Sequence, residues 1–191
     1  MENKYRRCAW CAGDSLYEQY HDQEWGVPVF DDLKLFEFLT LETFQAGLSW
    51  ITVLWKRENF RSAFDQFDFE KVALYGTEKI NALLNDKGII RNRQKIIAAV
   101  NNAQCFMEIR IKHHSFSEYI WGFVAGKPLQ NSYKTLSEIP AKTPLSEAIS
   151  KDLKQNGFQF VGPTVVYAHM QATGMVNDHL IDCFRHKALL Q

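Results

Sequence analysis

Two pairs of potential metal ligands stand at opposite ends of this chain, and no other feature restricts its folding as much. Cys8 and His21 lie near the start with twelve residues between them, and His179 and Cys183 lie near the end. Two thiolates and two imidazoles are the donor set of a closed tetrahedral zinc site. If one ion takes all four, the first and last segments of a 191-residue chain must meet. The metal would then be a staple on a larger body, since short zinc modules keep their ligands close together. Spacing alone equally allows four unrelated buried thiols and imidazoles. Cys8-Ala9-Trp10-Cys11 adds a second ambiguity, because a C-x-x-C can be a redox pair or part of a different zinc knuckle.

Such a chain can form one large domain or two small lobes, at about 150 residues per domain. Apolar residues make up 46%, enough for a core that does not depend on a metal. Lys plus Arg balance Asp plus Glu at 22 each, so any surface for a polyanion must be local. No apolar run follows Lys4, Arg6 and Arg7, which predicts no signal peptide. No stretch approaches the roughly 18 apolar residues of a membrane helix. The four cysteines therefore read as thiols or metal ligands in a cytoplasmic protein, not as a disulfide framework.

The patterning is helical nearly throughout, and an all-α fold is predicted as a single domain over residues 1–191, with two helical lobes. Asp31 or Asp32 caps a helix to about Phe44, with Leu35, Leu39, Glu42 and Ala46 on one stripe. A second runs from near Ser49 to about Phe64 with Ile51, Leu54 and Trp55. Thr77 caps a helix to Asn85 with Ile80, Leu83 and Leu84 inward and Gly88 beyond its end. Another starts near Asn92 with Ile96, Ile97 and Val100 on its face, closing a hairpin over about 77–109. Ser115 to Val124 forms a shorter helix. Thr143-Pro144 opens one ended by Gly157, and Gly162-Pro163 opens one closed by Gly174. Asn177 or Asp178 caps a last turn in which His179 and Cys183, at i and i+4, point the same way.

Three features can carry chemistry. Glu42 shares a face with apolar residues, and burying a charge is costly unless it is paired. It is either a helix-end carboxylate reaching solvent or an Arg, or a ligand acceptor set in a pocket. Trp10, Tyr17, Tyr20 and Trp25 crowd the first 25 residues, and Trp50 follows Glu42 closely. These rings serve core packing or offer flat surfaces to a base, and Tyr17 and Tyr20, at i and i+3, can line one wall. The third feature is the turn between the hairpin helices, where Lys87, Arg91, Arg93 and Lys95 occur with no acid between them. It is either a solvated charged turn or a phosphate-binding one, since N–H groups at a turn and a helix N-terminus suit phosphate. With Gly88 it resembles a helix–hairpin–helix that grips DNA backbone, although many such hairpins carry two glycines.

Longer motifs point further. Tyr20-His21-Asp22-Gln23-Glu24-Trp25-Gly26-Val27-Pro28, Leu41-Glu42, Gln45-Ala46-Gly47-Leu48-Ser49-Trp50, Gly88-Ile89-Ile90-Arg91, Leu136-Ser137-Glu138-Ile139-Pro140 and Val176-Asn177-Asp178-His179 together resemble the 3-methyladenine DNA glycosylase I family of bacterial base-excision enzymes. The likeness runs from Cys8 to Cys183. It implies a helix–hairpin–helix glycosylase fold and structural zinc (Zn2+) on Cys8, His21, His179 and Cys183, leaving Cys11 outside the set. It places Glu42, Tyr17, Tyr20 and Trp50 around the excised base, with Trp10 and Trp25 nearby. It implies DNA contacts from Lys87, Gly88, Arg91 and Arg93, a monomer, double-stranded alkylated DNA as partner and free 3-methyladenine as product.

The implied chemistry is hydrolysis of an N-glycosidic bond. Methylation at N3 makes the purine cationic, so the base leaves neutral and needs little acid catalysis. Many relatives in the superfamily carry a catalytic Asp some twenty residues after the hairpin. This chain has Arg110, Ile111 and Lys112 there. No lysine is placed as a Schiff-base nucleophile, so strand cleavage is not expected. Two other classes compete. A non-catalytic DNA-binding module would need no carboxylate among aromatics, and a zinc hydrolase would need an open ligand position.

Overall fold

The computed structural model describes residues 6–190, so Lys4 of the N-terminal basic cluster lies outside the described residues. After a 3-10 turn at Ala9–Cys11 the order is α1 (Ser15–Gln23), α2 (Asp32–Gln45), α3 (Trp50–Ala63), α4 (Phe69–Val72), α5 (Thr77–Asn85), α6 (Arg93–His113) and α7 (Phe116–Gly122). A two-residue strand β1 (Leu129–Gln130) and a 3-10 turn at Leu136–Glu138 follow, then α8 (Pro144–Gln155), α9 (Pro163–Ala172), β2 (Val176–Asn177) and α10 (Phe184–Ala188). The two strands pair in parallel, Leu129 with Val176 and Gln130 with Asn177.

Local chemistry sets most of these boundaries. Asp14, Asp31, Asn92, Ser115 and Thr143 each accept a backbone N–H in the first turn that follows, and Thr143 with Ser146 forms a reciprocal capping box. Gly76, one residue before the expected Thr77, precedes α5, and α6 continues to His113, past the expected end near residue 109.

Helix α2 departs from the expected stripe. Every residue from Leu35 to Phe44 is buried, while Ala46 lies past the helix end and is exposed. A helix with no solvent face is an internal one. Helices α3, α6, α7 and α9 pack around it. The large core draws on α2 to α9, including Phe36, Phe44, Phe60, Phe106, Phe116 and Met170. A smaller core joins Cys8, Tyr20, Trp25, Phe38, Leu54, Leu180 and Cys183, so the two helical lobes of the expectation meet two unequal cores. Trp55 and Ile97, assigned to helical faces with Leu54 and Ile96, are exposed at 61% and 43% because each sits one position off its buried neighbour.

The first and last described segments do meet. Gly26 N–H donates to the Gln171 carbonyl and Val29 N–H to that of Thr173, fastening the segment after α1 to the end of α9. Gly174, at φ +70, sits where a Cβ would come within 2.3 Å of the Val27 carbonyl carbon, so only glycine allows this approach.

The last helical turn is corrected. His179 and Cys183 lie in an irregular segment between β2 and α10, and Cys183 stands at the N-cap of α10. The polar groups here find partners across the chain. The Asn177 carbonyl accepts from Asn131 N–H, its side-chain amide donates to the His186 carbonyl, and Ile181 N–H donates to Tyr133. Those bonds replace the i to i+4 ladder, so tertiary pairing outbids helix formation.

Candidate active site and metal centre

Helix α1 carries Tyr17, Tyr20 and His21, and it begins at Asp14, whose carboxylate accepts the Tyr17 N–H at 3.0 Å. Tyr17 and Tyr20 line one wall of a cavity of about 380 Å³. The same cavity is lined by Trp10, Trp25, Glu42 and Trp50, so all six residues expected around a base come together. Ring centroids lie 4.9 Å apart for Trp10 and Tyr17, 5.0 Å for Trp10 and Trp25 and 5.5 Å for Tyr20 and Trp50. Gln45, Leu136, Ile139, Ala168 and Gln171 complete the wall. Sequence reasoning missed their part in it. Leu136 and Ile139 did fall in a conspicuous motif, but nothing local ties them to Glu42.

Glu42 is 4% exposed, and among the described residues its carboxylate has no hydrogen-bond or ion-pair partner. Burial alone pushes its carboxyl up to about 8. Burial also raises Tyr17 and Tyr20, and the Glu42 charge adds to both shifts, which places the phenols within its field. Trp50 Nε1 is buried without an acceptor. The cavity thus holds an unpaired acid among tilted and edge-on rings, an arrangement that costs folding energy and suits a flat polar ligand.

Beside this wall Cys8, His21, His179 and Cys183 converge, all buried, with their ligand atoms within 4.8 Å of one another. Cys183 Sγ lies 3.4 Å from His21 Nε2 and 3.5 Å from His179 Nδ1, and Cys8 Sγ lies 3.8 Å from His179 Nδ1. Zinc bond lengths near 2.3 Å to sulfur and 2.0 Å to nitrogen imply tetrahedral S···N edges of roughly 3.5 Å. The remaining ring nitrogens are engaged. His21 Nδ1 meets Asp22 Oδ1 at 2.8 Å, and His179 Nε2 meets the Trp25 carbonyl at 2.9 Å. With those acceptors taking the ring protons, a lone pair on each imidazole faces the cluster, as a metal requires. Arg7 holds Asp22 in turn at 2.7 Å. The Cys11 thiol donates to the Cys8 carbonyl at 3.1 Å and stands outside the four.

The basic turn is partly as expected. Lys87, Arg91 and Arg93 are exposed. Lys95 is buried, donating to the Phe44 and Ala46 carbonyls at the end of α2 at 2.9 and 2.7 Å, and so leaves the positive surface. Gly88 N–H already donates to Asp86 at 2.7 Å, and Lys56 from α3 donates to the Lys87 and Gly88 carbonyls. A phosphate would therefore meet side chains and the first N–H groups of α6. Arg110 turns to Asp32 at 2.9 Å. Among the described residues no helix is long and apolar enough to cross a membrane.

The comparisons agree with one another. A family profile described as methyladenine glycosylase matches residues 10–186. DNA-3-methyladenine glycosylase 1 of Escherichia coli (strain K12) is 51% identical over 177 residues, covering 93% of this chain and 95% of that protein. DNA-3-methyladenine glycosylase of Haemophilus influenzae is 49% identical over 177 residues, covering 93% and 96%. A solved 3-methyladenine DNA glycosylase I superposes with a TM-score of 0.91 at 49% identity, covering 94% of this chain and 98% of that one. The Staphylococcus aureus enzyme, in a structure addressing 3-methyladenine recognition, superposes at 0.91 with 39% identity, covering 95% and 97%.

The unpaired carboxylate gives a pH signature. Glu42 ionises near 8 in the folded protein and near 4.5 when unfolded, so the fold gains relative stability below 4.5 and loses it as pH rises through 8. Glu42→Gln should melt close to the wild type at pH 5 and several degrees above it at pH 9. Parallel melting curves across that range would mean that Glu42 carries no such burden.

Proposed function

The chain belongs to the methyladenine glycosylase family, and on that premise we propose that it hydrolyses the N-glycosidic bond of 3-methyladenine in alkylated DNA. Free base and an abasic site are the products. The observation that carries this reading is Glu42, a buried carboxylate with no partner, in a cavity walled by Trp10, Tyr17, Tyr20, Trp25 and Trp50.

The physics favours a cationic purine. Without a ligand, burial holds the Glu42 proton on. A positive base nearby favours the ionised form, so lesion entry and proton loss are coupled. The carboxylate then accepts from the adenine edge, and the rings stack on the base. Those interactions offset the few kcal/mol of flipping, a cost that is lower for a damaged base. The leaving base is neutral, and water completes the reaction at the sugar C1′. Arg110 is held by Asp32 and Lys95 by backbone carbonyls, so neither lines the cavity. No lysine is among the residues lining the cavity, which supports a monofunctional hydrolase without strand cleavage.

Zinc on Cys8, His21, His179 and Cys183 would supply a cross-link, and four protein ligands leave no open position for water. His21 shares α1 with Tyr17 and Tyr20, and the Trp25 carbonyl receives His179, so this cross-link supports the aromatic wall. Lys87, Arg91 and Arg93 serve as phosphate contacts. Leu48 is exposed on the turn between the cavity residues Gln45 and Trp50, next to a left-handed Gly47, and is a candidate to fill the gap left by a flipped base.

Release of free 3-methyladenine from alkylated duplex DNA tests the central reading. The wild type should release it, and Glu42→Gln should be slower by on the order of 10²-fold. Absence of release by the wild type would leave only a binding module. Metal analysis should find one zinc per chain, retained by Cys11→Ser and lost by Cys8→Ser. Metal-free protein that keeps its melting temperature would remove the cross-link. On the DNA side, Arg91→Ala should lower the salt slope of binding by about one. Leu48→Ala should slow excision from duplex and leave affinity for the free base intact. Wild-type behaviour of both would move the DNA surface elsewhere.

A further inference from the structure

Arg57 lies on α3, outside the base cavity, and is 6% exposed. Its Nε donates to Glu37 Oε1 at 2.7 Å, and its terminal nitrogens grip both oxygens of Glu24 at 2.8 Å each. Glu37 belongs to α2, and Glu24 is the C-cap of α1. One guanidinium thus joins the three helices that contribute Tyr17 and Tyr20, Glu42, and Trp50 to the cavity. Arg61 also reaches Glu37, at 2.8 Å, and Lys34 reaches both Glu37 and Glu24.

The path from this clamp to the cavity is short. The Tyr20 carbonyl accepts the N–H groups of Glu24 and Trp25 at 2.9 and 3.0 Å. Fixing Glu24 therefore fixes the end of α1 and the residue that follows it. The Arg57 guanidinium also lies 5.1 Å from the Phe38 ring centroid, and Phe38 packs against Tyr20. A second cavity of about 360 Å³ is lined by Tyr20, Glu24, Trp55, Arg57 and Arg61. Tyr20 lines both cavities, so it stands between the base cavity and the clamp. Its place then depends on where α1 is tied. A planar fork with donors on three nitrogens can hold two carboxylates at once, which a point charge on a flexible stem does not do. Apolar side chains of equal volume would serve stability as well as a buried ion network does. What the network adds is a fixed geometry.

We propose that Arg57 is a positioning residue for base excision, holding Tyr20 and Trp25 in register with Glu42 and Trp50 through Glu24 and Glu37. This rests on the function proposed above. The test uses Arg57→Lys, which keeps the charge and loses the fork, and Glu24→Gln, which keeps the shape and weakens the grip. Both are measured well below their melting temperatures. Arg57→Lys should slow single-turnover excision of 3-methyladenine at least tenfold. It should weaken binding of the free base, read from tryptophan fluorescence, by a similar factor. Affinity for undamaged DNA should stay within twofold. Glu24→Gln should fall between it and the wild type. Combining Arg57→Lys with Tyr20→Leu should cost less than the product of the single effects, because both act through the Tyr20 ring. A lower melting temperature with wild-type excision and base affinity in both variants would reduce Arg57 to a structural role and overturn the proposal. Strictly multiplicative effects in the double variant would overturn the route through Tyr20. Should the wild type itself release no base, the functional reading fails first, and the free-base and double-variant binding measurements still judge the clamp.

Discussion

From Leu35 to Phe44 helix α2 has no face toward water, and the rest of the molecule is arranged around that fact. Its ten residues from Leu35 to Phe44 are all buried, so its two interior carboxylates cannot turn to solvent. They meet opposite fates. At Glu37 burial works against ionisation, but Arg57, Lys34 and Arg61 outweigh it and hold the carboxyl below its ordinary range. At Glu42, little more than one turn further along, no cation among the described residues offsets burial, which pushes the carboxyl up to about 8. One helix therefore carries a carboxylate that is finished structurally and another that is left open. The difference is in which neighbours α1 and α3 deliver, since the intrinsic acidity of the two side chains is the same.

The cysteine and histidine cluster is the complement of that arrangement. Helix α1 is too short to hold itself in place by propensity alone. It is tied at its end by His21 in the cluster and by Glu24 on Arg57. The segment after it is hydrogen-bonded to α9, with Gly174 allowing the contact. These ties set the aromatic wall opposite Glu42. The loop that brings Leu136 and Ile139 to the same cavity is fastened to the C-terminal ligand segment through Asn131 and Tyr133. Both sides of the cavity thus lead back to the place where the N-terminal and C-terminal ligand segments meet.

Much of this was legible locally. Helix starts at Asp31, Asn92, Ser115 and Thr143 follow from side chains that satisfy orphan N–H groups within one turn. The i and i+3 spacing of Tyr17 and Tyr20 put both on one wall because α1 is regular there. The last segment departs from its local helical pattern because Asn177 and Asp178 bond through their side chains to Gln130 and Asn131, 47 positions away, and no local pattern reports that. Lys95 looked like part of a positive turn in sequence, yet it caps the end of α2, a contact visible only when α2 and α6 are packed.

The sequence by itself determined the helical character, most element boundaries, the donor types able to share a metal, and the aromatic and acidic residues suited to a base. Those depend on periodicity, capping and side-chain chemistry, which act within a few residues. Only the tertiary structure decided that Glu42 is unpaired while Glu37 is paired, that Cys11 faces away while Cys8 faces the histidines, and that Arg57 binds three helices. Each is a question of which distant group occupies the few ångströms around a buried atom. In a close-packed interior that is settled by how whole helices pack, since hydrogen bonds and ion pairs act only at short range.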